Sequence, residues 1–239
     1  MQAWLLAISL TFPAVCFVCG ARAQQSATVQ EILDGDQLYV NQQQVRVKAR
    51  ATSPQVVSTG DSRGQLVFGS GAAGRLNRFS LLRLASTCFL MEKGQLLVSG
   101  PQNGCTRSAR LSVRGTNYVV AVGDDGSSEL TVLEGQVEVE PLKDGQPSGE
   151  QATTVEAGQQ LTISPAGVIE TVLQLSAGDY SNILNGPLFT GFSSAMPGFA
   201  ALERYIQTAL PDLPLPPLPG GTSVPGPSDL LQIPALRFF

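Results

Sequence analysis

From Val113 to Glu140 the chain reads VRGTNYVVAVGDDGSSELTVLEGQVEVE, a stretch that commits it to β-structure. Two apolar runs flank Asp124-Asp125-Gly126-Ser127, a turn in which Gly accepts positive φ and Asp can bond the nearby backbone. In Gln136-Val137-Glu138-Val139-Glu140 the valines fall on one face and the polar residues on the other, as a half-buried strand requires.

The same punctuation extends along the first two thirds of the sequence. A Gly, then Gln or Asp, then an aliphatic residue recurs at Gly35-Asp36-Gln37-Leu38, Gly64-Gln65-Leu66, Gly94-Gln95-Leu96, Gly135-Gln136-Val137 and Gly158-Gln159-Gln160-Leu161. The spacing is too uneven for a strict repeat and suits successive β-turns, each feeding a new strand into the core. Few aromatic residues (6%), with 25 Gly and 16 Pro, likewise favour short strands and turns. Residues 24–170 are therefore read as one all-β domain, an irregular β-sandwich or a short β-solenoid. Periodicity does not choose between the two.

The ends read differently. Residues 1–23 hold an apolar run from Leu5 to Val18 and then Ala21-Arg22-Ala23, the small-x-small pattern of a signal peptide cut before Gln24. A membrane anchor is the rival reading, but about fourteen apolar residues fall short of the roughly twenty that span a bilayer. Cys16 and Cys19 are expected to leave with the peptide, and no integral span remains after cleavage. The expected location is periplasmic or extracellular. Beyond Glu170, Ser176-Ala177-Gly178-Asp179 resembles a capping box that opens a short helix ended by Gly186-Pro187. A second helix is predicted from Phe199 to Leu210, with Leu202, Tyr205 or Ile206, and Ala209 on one stripe before Pro211. Residues 171–210 thus form a short helical appendage, whose stripe needs the β-domain or another protein to lie against. Residues 211–239 read as a Pro-rich flexible tail. Its apolar end, Leu230 to Phe239, either folds back or docks elsewhere.

Motifs that suggest catalysis lack their partners. Gly60-Asp61-Ser62-Arg63-Gly64 matches a nucleophile elbow, yet the chain has no His to serve as base, and only Lys48 and Lys93 offer a Ser-Lys variant in the basic half. Gly69-Ser70-Gly71-Ala72-Ala73-Gly74 matches a dinucleotide fingerprint, but Arg75-Leu76-Asn77-Arg78-Phe79 carries no helical stripe to meet a pyrophosphate. Glu138 and Glu140 share the outward face of a strand, and Asp124 and Asp125 lack the ligand spacing of an EF-hand. Without His, the cysteines supply no zinc set. The expectation is no enzyme, no cofactor and no metal.

Cys88 and Cys105 form an even pair in an oxidising compartment. A disulfide closing their loop of about seventeen residues would stabilise the fold by roughly 3 kcal/mol, with two buried free thiols the alternative. The net charge of -4 hides an asymmetry. Residues 43–114 hold eleven Lys or Arg against Asp61 and Glu92, whereas residues 115–179 hold eleven acids against Lys143. Arg75, Arg78, Arg83, Arg107 and Arg110, with Arg114, could present guanidinium forks to phosphate or carboxylate groups. Export argues against nucleic acid and leaves an envelope protein or an anionic polysaccharide as partner. The competing reading pairs these arginines with the acidic third of the same domain, and the usual mixing of opposite surface charges favours it.

Thr59-Gly60-Asp61-Ser62-Arg63-Gly64-Gln65-Leu66-Val67-Phe68, Lys93-Gly94-Gln95-Leu96-Leu97-Val98, Arg114-Gly115-Thr116, Leu133-Glu134-Gly135-Gln136-Val137 and Ala157-Gly158-Gln159-Gln160 occur in that order. Together, over about Val56 to Gly167, they resemble the FecR domain family. The resemblance implies an exported all-β sensing or binding module, with Arg114, Gly115, Thr116, Glu134 and Gly135 as structural hallmarks. Gly115 would supply a turn or a close approach, and Arg114 could tie down neighbouring carbonyls. The best-known members regulate sigma factors in iron uptake through a cytoplasmic helical segment, one membrane span and a periplasmic domain signalled by an outer-membrane receptor. This sequence has no room for a cytoplasmic segment before its hydrophobic run, so what carries over is the fold and a binding role in the envelope. The expected function is a non-catalytic exported module that binds or senses a protein or an anionic glycan. A structural component or scaffold of the envelope or of a surface assembly is the alternative.

Overall fold

The computed structural model describes residues 24–143 and 145–216. The expected signal peptide with Cys16 and Cys19, and the tail from residue 217 through Leu230–Phe239, lie outside the described residues. The chain first forms β1 (Ser26–Leu33), β2 (Leu38–Val40), β3 (Gln43–Gln44), β4 (Arg50–Thr52), β5 (Val56–Thr59) and β6 (Arg63–Phe68). It continues through β7 (Ala73–Leu76), β8 (Leu81–Leu84), β9 (Phe89–Gly100), β10 (Gly104–Cys105), β11 (Ala109–Val113) and β12 (Thr116–Val122). Then come β13 (Ser128–Glu134), β14 (Gln136–Lys143), β15 (Gln146–Pro147), β16 (Thr153–Glu156), β17 (Gln159–Ile163) and β18 (Ile169–Gln174), followed by helices α1 (Ala177–Leu184) and α2 (Phe199–Ala209).

The strands build two sheets that share β9. One runs β4-β1-β6-β7-β9-β12-β13-β17-β18, and the other β3-β2-β5-β8-β9-β10-β11-β14-β16. Every pairing is antiparallel except β9 with β10. Consecutive strands such as β1 and β2, β5 and β6, and β13 and β14 lie in different sheets, so the chain leaves one sheet and enters the other at the bend between them. Their inner faces enclose one core, with Leu66, Phe68, Val98, Tyr118 and Leu161 from the first sheet against Leu38, Leu82, Met91, Leu111 and Val139 from the second. This is a β-sandwich, which settles the choice that periodicity left open.

The recurring Gly motif is explained by those bends. Gly94 (φ +83°) lies within β9 where it passes between sheets, and Gly135 (φ +83°) lies between β13 and β14. A side chain at either would be strained, and a Cβ on Gly135 would sit 2.4 Å from Thr116 Cγ2. Gly64 departs from the expected turn. It lies inside β6, where the missing side chain makes room for Leu38, whose Cδ1 is 2.4 Å from the would-be Cβ. As the alternation predicts, Val137 and Val139 are buried while Glu138 faces solvent.

A second apolar cluster joins the C-terminal arm to the outer face of the first sheet. Ala73, Leu97 and Leu133 of the sheet meet Tyr180, Leu184, Leu188, Phe189, Met196, Phe199, Leu202 and Ile206. The β-domain is therefore what the helical stripe lies against. Each fully buried large side chain there contributes about 1.5–3 kcal/mol relative to exposure. The capping box forms as predicted: Ser176 Oγ accepts from the Asp179 amide, and the Asp179 carboxylate accepts from the Ser176 amide at 2.8 Å. On α2 the buried stripe is Phe199, Leu202 and Ile206; Ala209 is exposed. The strand β18 carries β-structure to Gln174, past the expected boundary at residue 170. Among the described residues no helix is long and apolar enough to cross a membrane.

Candidate binding surface

Of the arginines proposed to face a ligand, Arg75 does not: it is 0% exposed. Standing on β7 under the loop between α1 and α2, it donates through Nε to Gln65 Oε1 (2.8 Å), through Nη1 to the Leu188 and Phe189 carbonyls (3.2 and 3.3 Å) and through Nη2 to the Ser194 carbonyl (2.9 Å). Its guanidinium also lies 4.3 Å from the Phe192 ring centroid and 4.9 Å from that of Phe199. Burial pulls its pKa down to about 10, with the Glu31 carboxylate opposing that shift, so it remains charged at neutral pH. The reason for the correction is that main-chain carbonyls fill the fork that an anion would need.

Arg75 is one of several polar side chains on the sheet that hold residues 186–198. Arg63 Nη1 donates to the Pro187 and Thr190 carbonyls, and its other nitrogens grip Asp34. The Glu31 carboxylate accepts from the Ser193 amide and hydroxyl and from the Ser194 amide, each at 2.9 Å, while Gln65 donates to the Ala195 carbonyl. This clasp recognises backbone, so the loop sequence carries almost no trace of it. Sequence reasoning missed Glu31, Arg63 and Gln65 for that reason.

Two carboxyls of this network predict an acid response. Burial pushes the Glu31 carboxyl up, but its bonds from Ser193 and Ser194 outweigh that and hold it below its ordinary 4.5; the bond from Arg63 holds Asp34 below 3.8. The stabilisation is complete above those ordinary values and is lost as pH falls through the lower folded-state values. Urea midpoints between pH 7 and pH 2.5 should fall less steeply for Glu31→Gln than for the wild type.

The remaining arginines are mostly paired, yet seldom with the acidic third. Arg78 contacts Asp34 (2.7 Å) and Asp61 (3.3 Å), and Arg83 contacts Glu92 (2.8 Å), all acids of the basic half or of β1's end. Among the described residues, Arg110 to Glu140 and Lys93 to Asp124, both 2.6 Å, are the pairs that reach the acidic third. Arg107 and Arg110 share a cleft with Thr87, Thr106 and the Cys88–Cys105 disulfide, whose Cα atoms are 5.9 Å apart. That bridge ties the start of β9 to β10 and fixes the lone parallel pairing. The structure brings Arg107 and Arg110 together but scatters Arg75, Arg78 and Arg83.

Arg114, Gly115, Thr116, Glu134 and Gly135 do converge, as two neighbouring bends. Gly115 adopts φ +65°, and Thr116 fills the space beneath Gly135. Asn117 then bonds Glu134 and the Gly198 carbonyl, each at 2.9 Å, which anchors the start of α2. Arg114 makes no hydrogen bond among the described residues; it is exposed beside Glu134, Gln136, Glu156 and Tyr205. The carbonyl-tying role expected of it is not seen, because the bend leaves it pointing along an open groove.

The catalytic-looking motifs are structural. Ser62 is buried and accepts from the Gln37 amide, residues 69–72 turn β6 into β7, and Asp125 accepts from the Ser127 amide and hydroxyl within its turn. Among the described residues no three His, Cys, Asp or Glu converge as a metal site would require.

The least satisfied surface is β18. Among the described residues it pairs with β17 on one side and with no strand on the other, while the second sheet ends at β16. Ile169 at its start packs against the core, while the residues from Glu170 to Gln174 are exposed, with Val172 at 47% and Leu173 at 54%. Leu173 continues into a groove between the sheet and α1, lined by Gln160, Gln174, Asp179, Asn182 and Ile183. An unpaired row of backbone groups flanked by apolar side chains is the form of surface to which another extended segment adds.

No protein-family model matches the chain, and no curated protein matches it. Two solved structures are similar, both crystal structures of proposed anti-sigma factors from Parabacteroides distasonis. The 2.50 Å structure is 22% identical with a TM-score of 0.44, and the match covers 56% of this chain and 66% of that one, just under two thirds. The 1.65 Å structure is 18% identical with a TM-score of 0.45, and the match covers 64% and 73%.

Proposed function

We propose that this is an exported, non-catalytic FecR-like binding module of the cell envelope, and that it takes an extended segment of a partner protein along the free edge of β18. The observation that supports this reading is a six-residue end strand that is exposed from Glu170 to Gln174 and carries Val172 and Leu173 in the open, whereas the end strands β3 and β4 have only two and three residues. Backbone pairing would supply affinity, and the groove beside Leu173 would supply selectivity. At this edge a protein partner fits better than an anionic glycan, because β18 carries Glu170 and no Lys or Arg.

The test places lysines on the edge. Val172→Lys with Leu173→Lys should leave the thermal midpoint within a few degrees, since both positions are already exposed, yet abolish capture of the partner from envelope extract. Undiminished capture by that variant would remove β18 as the recognition edge. Capture that needs residues 211–239 and yields one abundant envelope component would favour the scaffold reading.

A further inference from the structure

We infer that the partner segment taken up at β18 is basic, and that beyond Leu173 it lays a Lys or Arg side chain beside Glu129 on the outer face of the first sheet. The inference rests on the β18 reading and names the chemistry of its partner. Two hollows on that face share Gln160, Asn182 and Ile183, so they form one groove along α1. The groove opens at Leu173 and Gln174 of β18 and runs inward over β17 and β13 to Glu129 and Thr131. Those two residues alternate with Leu130 and Val132 of the core, which is why they face outward. With volumes of about 260 and 240 Å³ the hollows are smaller than the roughly 300–1,000 Å³ of small-molecule sites, and they suit single side chains of an extended segment.

Charge selects the segment. The groove is lined by Glu129 and Asp179 and by neither Lys nor Arg. Asp179 is committed to the capping box of α1, whereas Glu129 forms no ion pair among the described residues. Burial pushes the Glu129 carboxyl up, and the bond from Gln160 opposes that shift. A carboxylate partly withdrawn from water without a cation is unfavourable, and an incoming guanidinium or ammonium relieves it. Most of the groove belongs to residues 115–179, where eleven acids stand against Lys143, so the surrounding field is negative as well. Strand spacing then places the basic residue. Glu129 on β13 lies two strands in from β18, so a strand added at the free edge would run about 14 Å from it, at about 4.8 Å per strand. A chain extended at about 3.3 Å per residue crosses that gap within about five residues.

The probe is a random dodecapeptide library displayed on phage and selected against the full mature protein at low salt. The expected result is enrichment of peptides in which a Lys or Arg stands within about five residues of an aliphatic, β-branched stretch. Selection on Glu129→Gln should lose the basic preference and keep the stretch, and selection on Glu129→Lys should turn the preference to Asp or Glu. An enriched peptide should bind the wild type about tenfold more tightly than Glu129→Gln in calorimetry, with the difference shrinking as salt rises. Stability supplies the second readout. Glu129→Gln should unfold at the same urea concentration as the wild type or a higher one, and a loss of stability would assign Glu129 to the fold and overturn the inference. A basic preference that survives Glu129→Gln overturns it too, as does the absence of any enriched peptide. Peptides without a basic residue whose binding is lost in Val172→Lys with Leu173→Lys would overturn the inference and leave the β18 reading standing. Basic peptides that need Glu129 yet bind that edge variant undiminished would remove the β18 reading, and the inference with it.

Discussion

Arg75→Ala is expected to destabilise the protein by about 1.5–3 kcal/mol, the range for losing hydrogen bonds to a charged group in the interior. The loss has identifiable parts. The Leu188, Phe189 and Ser194 carbonyls lose their donor, Gln65 loses its acceptor role, and the rings of Phe192 and Phe199 lose the cation between them. Arg75→Met keeps much of the volume but not the donors, so it should recover only part of the loss. Urea unfolding measures the total. Limited proteolysis locates it, because cleavage should appear first within residues 186–198, where the clasp holds the chain. Protection of that loop in Arg75→Ala would show that the apolar cluster beneath α1 and α2 suffices without the clasp.

Removing the Cys88–Cys105 bridge is expected to cost about 3 kcal/mol, from the sequence separation of 17 residues and the unfolded chain's regained freedom. For a domain of this size that corresponds to a fall of roughly 6–12 °C in Tm, measurable by calorimetry on Cys88→Ala with Cys105→Ala. The effect should centre on β10, which has only two residues and pairs with the start of β9 in the fold's one parallel contact. Thiol titration of the denatured, unreduced protein provides the control. Two free sulfhydryls in it would mean that the bridge does not form in solution.

Much of the β-architecture was legible in local sequence. The turn at Asp124–Ser127, the alternation of β14 and the capping box at Ser176 each depend on residues within a few positions of one another, and each forms as read. The burial of Arg75 left no local signal, for a physical reason. A guanidinium in a strand has the same sequence appearance whether it meets a ligand, a carboxylate or a distant loop, and Arg75 meets Phe189, 114 residues away. The strand β18 is not signalled in the sequence, because exposure from Glu170 to Gln174 removes the period-two pattern that one-sided burial imposes.

By itself the sequence determined that the chain would be β-structured, where glycines would bend its strands and where its first helix would start, because these follow from backbone preference and near-neighbour bonding. Only the tertiary structure decided that the bent strands close into a sandwich, that buried Arg75 holds the C-terminal arm, and that β18 pairs with β17 alone among the described residues. Those outcomes depend on which distant segments meet, and a hydrogen-bonding group carries no record in its own residue type of the partner it will find.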